Sequence, residues 1–141
     1  MGGDGAFLID GGFDRKAYEL DVMVGDIKVL RNPERNDAAL PEFSNTPHTA
    51  YYRKNDKGKI TQIRFYRGRY AKMDIDWGHA HKGLPANIPH IHTWKVVKDT
   101  TGTRKSGVHL VRQQPRLINA REWKILEPLL RNAGFQGDYK K

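Results

Sequence analysis

Polar and apolar side chains alternate through residues 69–77, a pattern typical of a half-buried β-strand. One side of this strand is predicted to be apolar and the other polar. The apolar side consists of Ala71, Met73, Ile75 and Trp77, and the polar side of Tyr70, Lys72, Asp74 and Asp76. The alternation therefore predicts a strand with one face towards a core and two carboxylates on the opposite face.

Neighbouring segments predict partners for this strand. Residues 48–54 and 59–66 are rich in β-favouring residues, and a turn containing Gly58 separates them. Together with residues 69–77 they form a predicted three-stranded antiparallel meander. Residues 90–97 are a fourth strand candidate, with His90, His92 and Trp94 on one face, and residues 27–30 are a short further candidate.

The last predicted element is a helix over residues 119–133. Asn119 is predicted as its N-cap, with Glu122 three residues later in a capping box, and Gly134 is predicted as its C-cap. The apolar stripe of this helix consists of Trp123, Leu126 and Leu130. Pro128 lies inside the pattern and is expected to kink or shorten the helix.

The elements together predict an α+β fold with a mainly antiparallel sheet of about four strands and a C-terminal helix. Residues 1–25 contain six glycines and no clean apolar period, which predicts a flexible N-terminal arm. Residues 26–135 are expected to form a single α+β domain, and residues 136–141 a tail. The chain of 141 residues is long enough for one ordinary domain.

Composition narrows the functional classes. Cysteine is absent, which excludes disulfides, thiolate metal sites and thiol nucleophiles. No apolar run approaches the roughly 20 residues that cross a bilayer, and no signal peptide begins the chain, so we expect a cytoplasmic protein with no membrane partner. Twenty-five basic against sixteen acidic residues give a net charge of +9, which favours a polyanionic partner, RNA above all.

Histidines and carboxylates concentrate between residues 74 and 92. The cluster contains Asp74, Asp76, His79, His81, His90 and His92. Residues two apart on a strand point to the same face, roughly 6.6–7 Å apart, so each pair can present its side chains to one surface. We treat these six residues as the candidate catalytic group, because side chains of this kind rarely concentrate without a use.

Three chemistries fit the cluster. The imidazoles can serve as acid and base in metal-free cleavage of RNA, with a nearby cation for the phosphate charge. The same cluster can bind a divalent metal such as zinc, with His79, His81, His90 and His92 as candidate ligands, although the cleavage proposed first requires no cofactor. A purely structural role is the third reading. The candidate substrate-binding residues are Tyr70, Lys72, Lys82, Trp94 and Lys95.

The motif around these residues resembles a family of polymorphic-toxin domains, the type 24 class. The resemblance rests on residues 73–81, which read Met-Asp-Ile-Asp-Trp-Gly-His-Ala-His, and on residues 89–94, which read Pro-His-Ile-His-Thr-Trp. It covers about residues 44–96. Members of that class are generally assigned to ribonuclease-like folds, so the resemblance implies a nuclease and carries the Asp, His and Trp94 positions with it.

Other features resemble small proteins of Gram-positive phages and prophages that are encoded near capsid and minor-head genes. They are the opening Met1-Gly2-Gly3-x-Gly5 and the later run of residues 44–47. The loop of residues 82–88 is longer than the toxin class leads one to expect, and we expect no large delivery domain before Met1. Both resemblances suit a protein made in the cytoplasm of the phage's host cell.

The sequence therefore predicts a small toxin-like nuclease, a ribonuclease rather than a deoxyribonuclease, that uses the His/Asp cluster for acid–base cleavage. An immunity protein or a phage capsid component would be a further partner. The alternative is a non-catalytic phage accessory or capsid-associated protein whose cluster binds a metal or a partner. A third reading, a nucleic-acid-binding module, predicts salt-sensitive binding that survives loss of the histidines.

Overall fold

One large mixed sheet and one helix make up most of the structure. The computed structural model describes residues 7–9, 12–14, 18–33, 39–44, 46–78, 84, 88–102 and 107–140. Its strands are β1 (Phe7–Ile9), β2 (Gly12–Asp14), β3 (Glu19–Val24), β4 (Ile27–Arg31), β5 (Ala50–Lys54), β6 (Ile60–Arg67), β7 (Tyr70–Asp76), β8 (His90–Lys98), β9 (Val108–Arg112) and β10 (Arg116–Leu117). The helix α1 is Ala120–Asn132.

The expectation of about four mainly antiparallel strands was wrong. The main sheet has eight strands, in the order β10-β8-β7-β6-β5-β4-β3, and β9 also pairs with β8. Strands β4 and β5 are parallel, so the sheet is mixed. The predicted meander of β5, β6 and β7 is present and is extended by β8 through the register Asp74↔His92 and Asp76↔His90.

The additional strands lie where apolar periodicity is weak. Strand β3 belongs to the segment predicted as a flexible arm, and its residues are mostly exposed at the edge of the sheet. Strands β9 and β10 follow a polar loop and pair with β8 in two short blocks. Strands β1 and β2 form a separate two-stranded sheet. The additional strands of the main sheet, β3, β9 and β10, have few buried residues and give little apolar signal, which is why the pattern did not reveal them.

The apolar face of the sheet carries the larger core. Ile63, Ile75 and Ile91 are aligned across β6, β7 and β8, and all three are fully buried. Helix α1 supplies the apolar residues that complete this cluster, namely Trp123, Leu126 and Leu130. The sheet and the helix therefore form two layers around one core.

Both ends of α1 are capped as the sequence predicts. The Asn119 side chain accepts a hydrogen bond from the Glu122 backbone amide, and the Glu122 side chain accepts one from the Asn119 amide. At the other end Gly134 has a φ of 99°, and the Phe135 amide donates to the Leu130 carbonyl. Pro128 does not end the helix, which continues to Asn132.

The segment predicted as a tail contacts the helix α1. In the predicted tail, Tyr139 stacks on Trp123 with ring centroids 5.1 Å apart.

No helix among the described residues is long and apolar enough to span a bilayer.

A bulge at Lys72 changes the predicted alternation of β7. Met73 pairs with Phe65, but Ala71 pairs with Tyr66, so Lys72 is an extra residue. Ala71 consequently lies on the same face as Tyr66 and packs in the smaller apolar cluster with Phe43, not on the face of Ile75. Its predicted place on the apolar face was therefore wrong, because strict alternation holds only from Met73 onwards.

We expect Leu130→Ala to lower the free energy of unfolding by about 2–5 kcal/mol, because it opens a cavity under a fully buried side chain. Urea unfolding followed by circular dichroism measures the change. Ile125 is the matched control, since its side chain is 72% exposed on the same helix. A comparable loss in Ile125→Ala would contradict the packing described above.

Candidate functional site

Two carboxylates on β7 lie completely inside the protein. Asp74 is 0% exposed and Asp76 is 2% exposed. The Arg64 guanidinium, on the neighbouring strand β6, binds Asp74 in a bidentate arrangement, with Nε 2.6 Å from Oδ1 and Nη2 3.0 Å from Oδ2. Arg64 is itself 3% exposed. An ion pair at this depth persists because each charge neutralises the other.

Arg64 also contacts the segment of residues 39–44 and the Trp94 ring. Its Nη1 donates to the Leu40 carbonyl at 2.5 Å, and its guanidinium carbon lies 4.8 Å from the centre of the Trp94 ring. Burial lowers the pKa of Arg64, but the Asp74 carboxylate outweighs burial and leaves that pKa above its usual value. Arg64 is therefore a permanent buried cation that connects Asp74, Trp94 and the segment of residues 39–44.

Two other side chains hold Asp76. Gln62 Nε2 donates to Asp76 Oδ1 at 2.7 Å. Arg112, from β9, donates its Nε to Asp74 Oδ2 at 3.1 Å and its Nη2 to Asp76 Oδ2. The Arg112 side chain keeps 33% of its surface exposed, so it covers the carboxylates from the solvent side.

The two histidines of β8 face the same carboxylate. His90 Nε2 lies 3.8 Å and His92 Nε2 lies 3.5 Å from Asp76 Oδ2. His92 Nδ1 lies 2.8 Å from the Gln113 carbonyl oxygen, which can only accept a hydrogen bond, so Nδ1 carries the proton of a neutral ring. His90 is 0% and His92 4% exposed. One ligand atom from each of Asp76, His90 and His92 lies within 4.8 Å of the others, so these residues could hold a metal ion.

A cleft reaches this group from outside. Its volume is about 480 Å³, and Gln62, Asp76 and Arg112 form its inner wall. Arg112 is the most exposed of these three residues. A small ligand that reaches this wall would therefore meet Arg112 before Gln62 or Asp76, while the exposed Asp56 lines the same cleft.

A larger groove lies along the turn between β6 and β7 and along the middle of β8. Its volume is about 840 Å³, and none of its described lining residues is acidic. Its cationic side chains are exposed: Arg67, Arg69, Lys72 and Lys95. Half-buried Tyr70 and Trp94 contribute aromatic rings. We call this surface the basic groove.

The structure brings together most of the residues that the sequence singled out. Asp74, Asp76, His90 and His92 form one buried group, which we call the Asp/His cluster. Four of the five predicted substrate-binding residues line the basic groove, namely Tyr70, Lys72, Trp94 and Lys95. The other predicted site residues, His79, His81 and Lys82, lie outside the described residues.

Sequence reasoning missed three partners of the carboxylates. They are Gln62, Arg64 and Arg112, none of which is among the candidate site residues of the sequence analysis. The hairpin register would have found the first two, because Gln62 is opposite Asp76 and Arg64 is opposite Asp74. No comparable signal existed for Arg112, since strand β9 was not predicted.

Comparison of the chain with family models, with curated proteins and with solved structures finds no match. The functional argument therefore depends on the geometry of the Asp/His cluster and of the basic groove.

We expect Arg64→Met to lower the free energy of unfolding by about 3–5 kcal/mol, because Asp74 then loses its bidentate partner inside the protein. Adding Asp74→Asn should restore part of this loss, which urea unfolding of the single and double variants would measure. The matched control is Arg31→Met, whose pair with Glu19 is exposed and should be worth at most about 1 kcal/mol. Equal losses for Arg31→Met and Arg64→Met would contradict the structural role of the buried pair.

Proposed function

We propose that the protein is a small toxin-like nuclease that binds single-stranded RNA in the basic groove and cleaves it at the Asp/His cluster. The observation that carries this proposal is that strand β8 contributes to both sites. His92 belongs to the cluster, and Trp94, two residues later on the same face, lines the groove. An RNA strand bound in the groove would thus have its sugar–phosphate backbone near the imidazoles, because residues two apart on a β-strand are about 7 Å apart.

The groove has the chemistry of a single-strand binding surface. Four exposed cations can neutralise successive phosphates, and the two aromatic rings can stack on bases. The Trp94 ring is held from one side by the Arg64 guanidinium. Stacking on Tyr70 and Trp94 does not distinguish one base from another, so the groove favours a nuclease of low sequence preference.

The cluster offers the groups that cleavage of RNA requires. One imidazole accepts the proton of the 2′-hydroxyl as its oxygen attacks phosphorus, and the other donates a proton to the 5′-oxygen as that bond breaks. A 2′,3′-cyclic phosphate and a 5′-hydroxyl are the products. Asp76 orients the imidazoles, and Arg112 is the cation for the phosphate charge.

Because His90 and His92 are buried, cleavage requires that the Asp/His cluster become accessible to RNA. A phosphate that enters the smaller cleft would pair with Arg112 and draw its guanidinium away from Asp76. This movement would open the cluster to the scissile phosphodiester. Such a step agrees with the one-third exposure of the Arg112 side chain.

We expect His92→Ala to abolish cleavage of labelled single-stranded RNA while leaving the far-ultraviolet circular dichroism unchanged, because proton transfer needs its Nε2. His109→Ala is the matched control, since His109 is on β9 and outside the Asp/His cluster. Gel electrophoresis of the products with and without a chelator measures the activity. Undiminished cleavage in both His90→Ala and His92→Ala would rule out the assignment.

Burial also favours a second function, that of an RNA-binding module without catalytic activity. All four members of the Asp/His cluster are less than 5% exposed, as expected for a polar network that only fixes the sheet. In that case RNA binding persists in His92→Ala, and no cleavage is found under any condition.

Both functions require the basic groove. We expect Lys72→Ala/Lys95→Ala to weaken binding of a 2′-O-methyl oligoribonucleotide, which lacks the attacking hydroxyl, and to reduce the salt slope by about 1.4, or roughly 0.7 per phosphate contact. Fluorescence anisotropy over a range of salt concentrations measures both. Arg121→Ala/Lys124→Ala removes the same charge from the exposed face of α1 and should leave the slope nearer to that of the unaltered protein. Equal slopes for the two double variants would place the binding surface elsewhere.

A further inference from the structure

Asp76, His90 and His92 have the donor set of a catalytic-type zinc site. Two imidazoles and one carboxylate are a recurrent zinc ligand set, and they leave a fourth position for water. The carboxylate comes from β7 and both imidazoles come from β8, so the antiparallel register Asp76↔His90 fixes their spacing.

Two of the three distances between ligand atoms are close to those around a tetrahedral ion. Ligand bonds of roughly 2.0–2.1 Å imply edges of about 3.3–3.4 Å in a tetrahedron. Asp76 Oδ2 lies 3.5 Å from His92 Nε2 and 3.8 Å from His90 Nε2. A movement of a few tenths of an ångström would bring Asp76 Oδ2 to the tetrahedral spacing from each histidine, and all three ligand atoms lie within 4.8 Å of one another.

The hydrogen bond of His92 Nδ1 also suits metal binding through Nε2 of the same ring. Its Nδ1 proton is donated to the Gln113 carbonyl, so the lone pair of Nε2 is directed to the side of Asp76. A hydrogen bond from the far nitrogen to a backbone carbonyl is the usual support of a metal-binding histidine.

Arg112 already supplies a cation to the same oxygen. Its Nη2 donates to Asp76 Oδ2, the atom that both histidines face. A metal ion on that oxygen would lie beside the guanidinium, and the two positive charges would repel each other. Arg112 is partly exposed and lines the cleft, whereas the three ligands are buried.

We propose that Asp76, His90 and His92 bind one divalent metal of the zinc class, and that Arg112 competes with the metal for Asp76 Oδ2. The inference deepens the proposed function and rests on it only in assigning the metal to the reacting cluster. A metal held by both imidazoles would occupy the nitrogens that transfer protons. Cleavage therefore belongs to the metal-free protein, and zinc suppresses it.

Zinc binding is measured on the whole chain by competition with a chromophoric chelator, without reference to activity. We expect saturable binding that His92→Ala weakens by more than the roughly 10- to 100-fold that loss of an outer-shell partner costs. His109→Ala should bind as the unaltered protein does. Absence of saturable binding, or equal affinity in His92→Ala, would overturn the site.

Substitution of Arg112 tests the competition between its guanidinium and the metal for Asp76 Oδ2. Arg112→Gln should raise the affinity for zinc roughly tenfold, because the metal no longer displaces a charged hydrogen bond. Arg116→Gln is the matched control, since Arg116 pairs with Glu122 on the exposed surface. An unchanged affinity in Arg112→Gln would overturn the competition.

A measurement on the unaltered protein guards against variants that do not fold. Zinc should shift the imidazole resonances of His90 and His92 in nuclear magnetic resonance spectra and leave those of His109 in place. Shifts confined to other histidines would overturn the site. Failure of the proposed nuclease gives a different result, namely zinc binding by a protein that cleaves no RNA.

Discussion

Two carboxylates buried on one strand are the constraint on which the rest of this structure depends. Asp74 and Asp76 have almost no exposed surface, so their charges must be compensated inside the protein. Arg64 compensates Asp74 from one side of β7, and Arg112 reaches both carboxylates from β9. The pairing of β9 with β8 is thus needed to bring the second cation over the sheet. Core packing on the opposite face fixes the strands on which these charges lie.

The same network connects the basic groove and the smaller cleft to the Asp/His cluster. Arg64 binds Asp74 through its guanidinium nitrogens, and its guanidinium carbon lies over the Trp94 ring. A base stacked on Trp94 would therefore lie one side chain away from the buried cation. Arg112 performs the corresponding task on the other side, where it joins the cleft to Asp76. Each surface is in this way connected to the Asp/His cluster through one arginine.

The sequence predicts the centre of this fold better than its edges. The polar faces of β7 and β8 could be read from alternation, because residues on both faces of these strands differ sharply in polarity. The helix could be read from its caps, since the Asn119–Glu122 capping box is a local interaction. Strand β3 is mostly exposed and strand β9 has a single fully buried position, so neither strand has a clear apolar period. For the same reason Arg112 was not recognised as a partner of Asp76.

The bulge at Lys72 shows why one inserted residue matters to function. Without it, strict alternation would put Lys72 on the face of Asp74, under the segment of residues 39–44, and Ala71 on the face of the helix. With it, Ala71 fills the smaller core beside Tyr66, and the Lys72 side chain is exposed in the basic groove. A bulge next to a site commonly re-aims a side chain in this manner. Strict alternation fails in β7 because of this bulge, and the same bulge gives the basic groove one of its four cations.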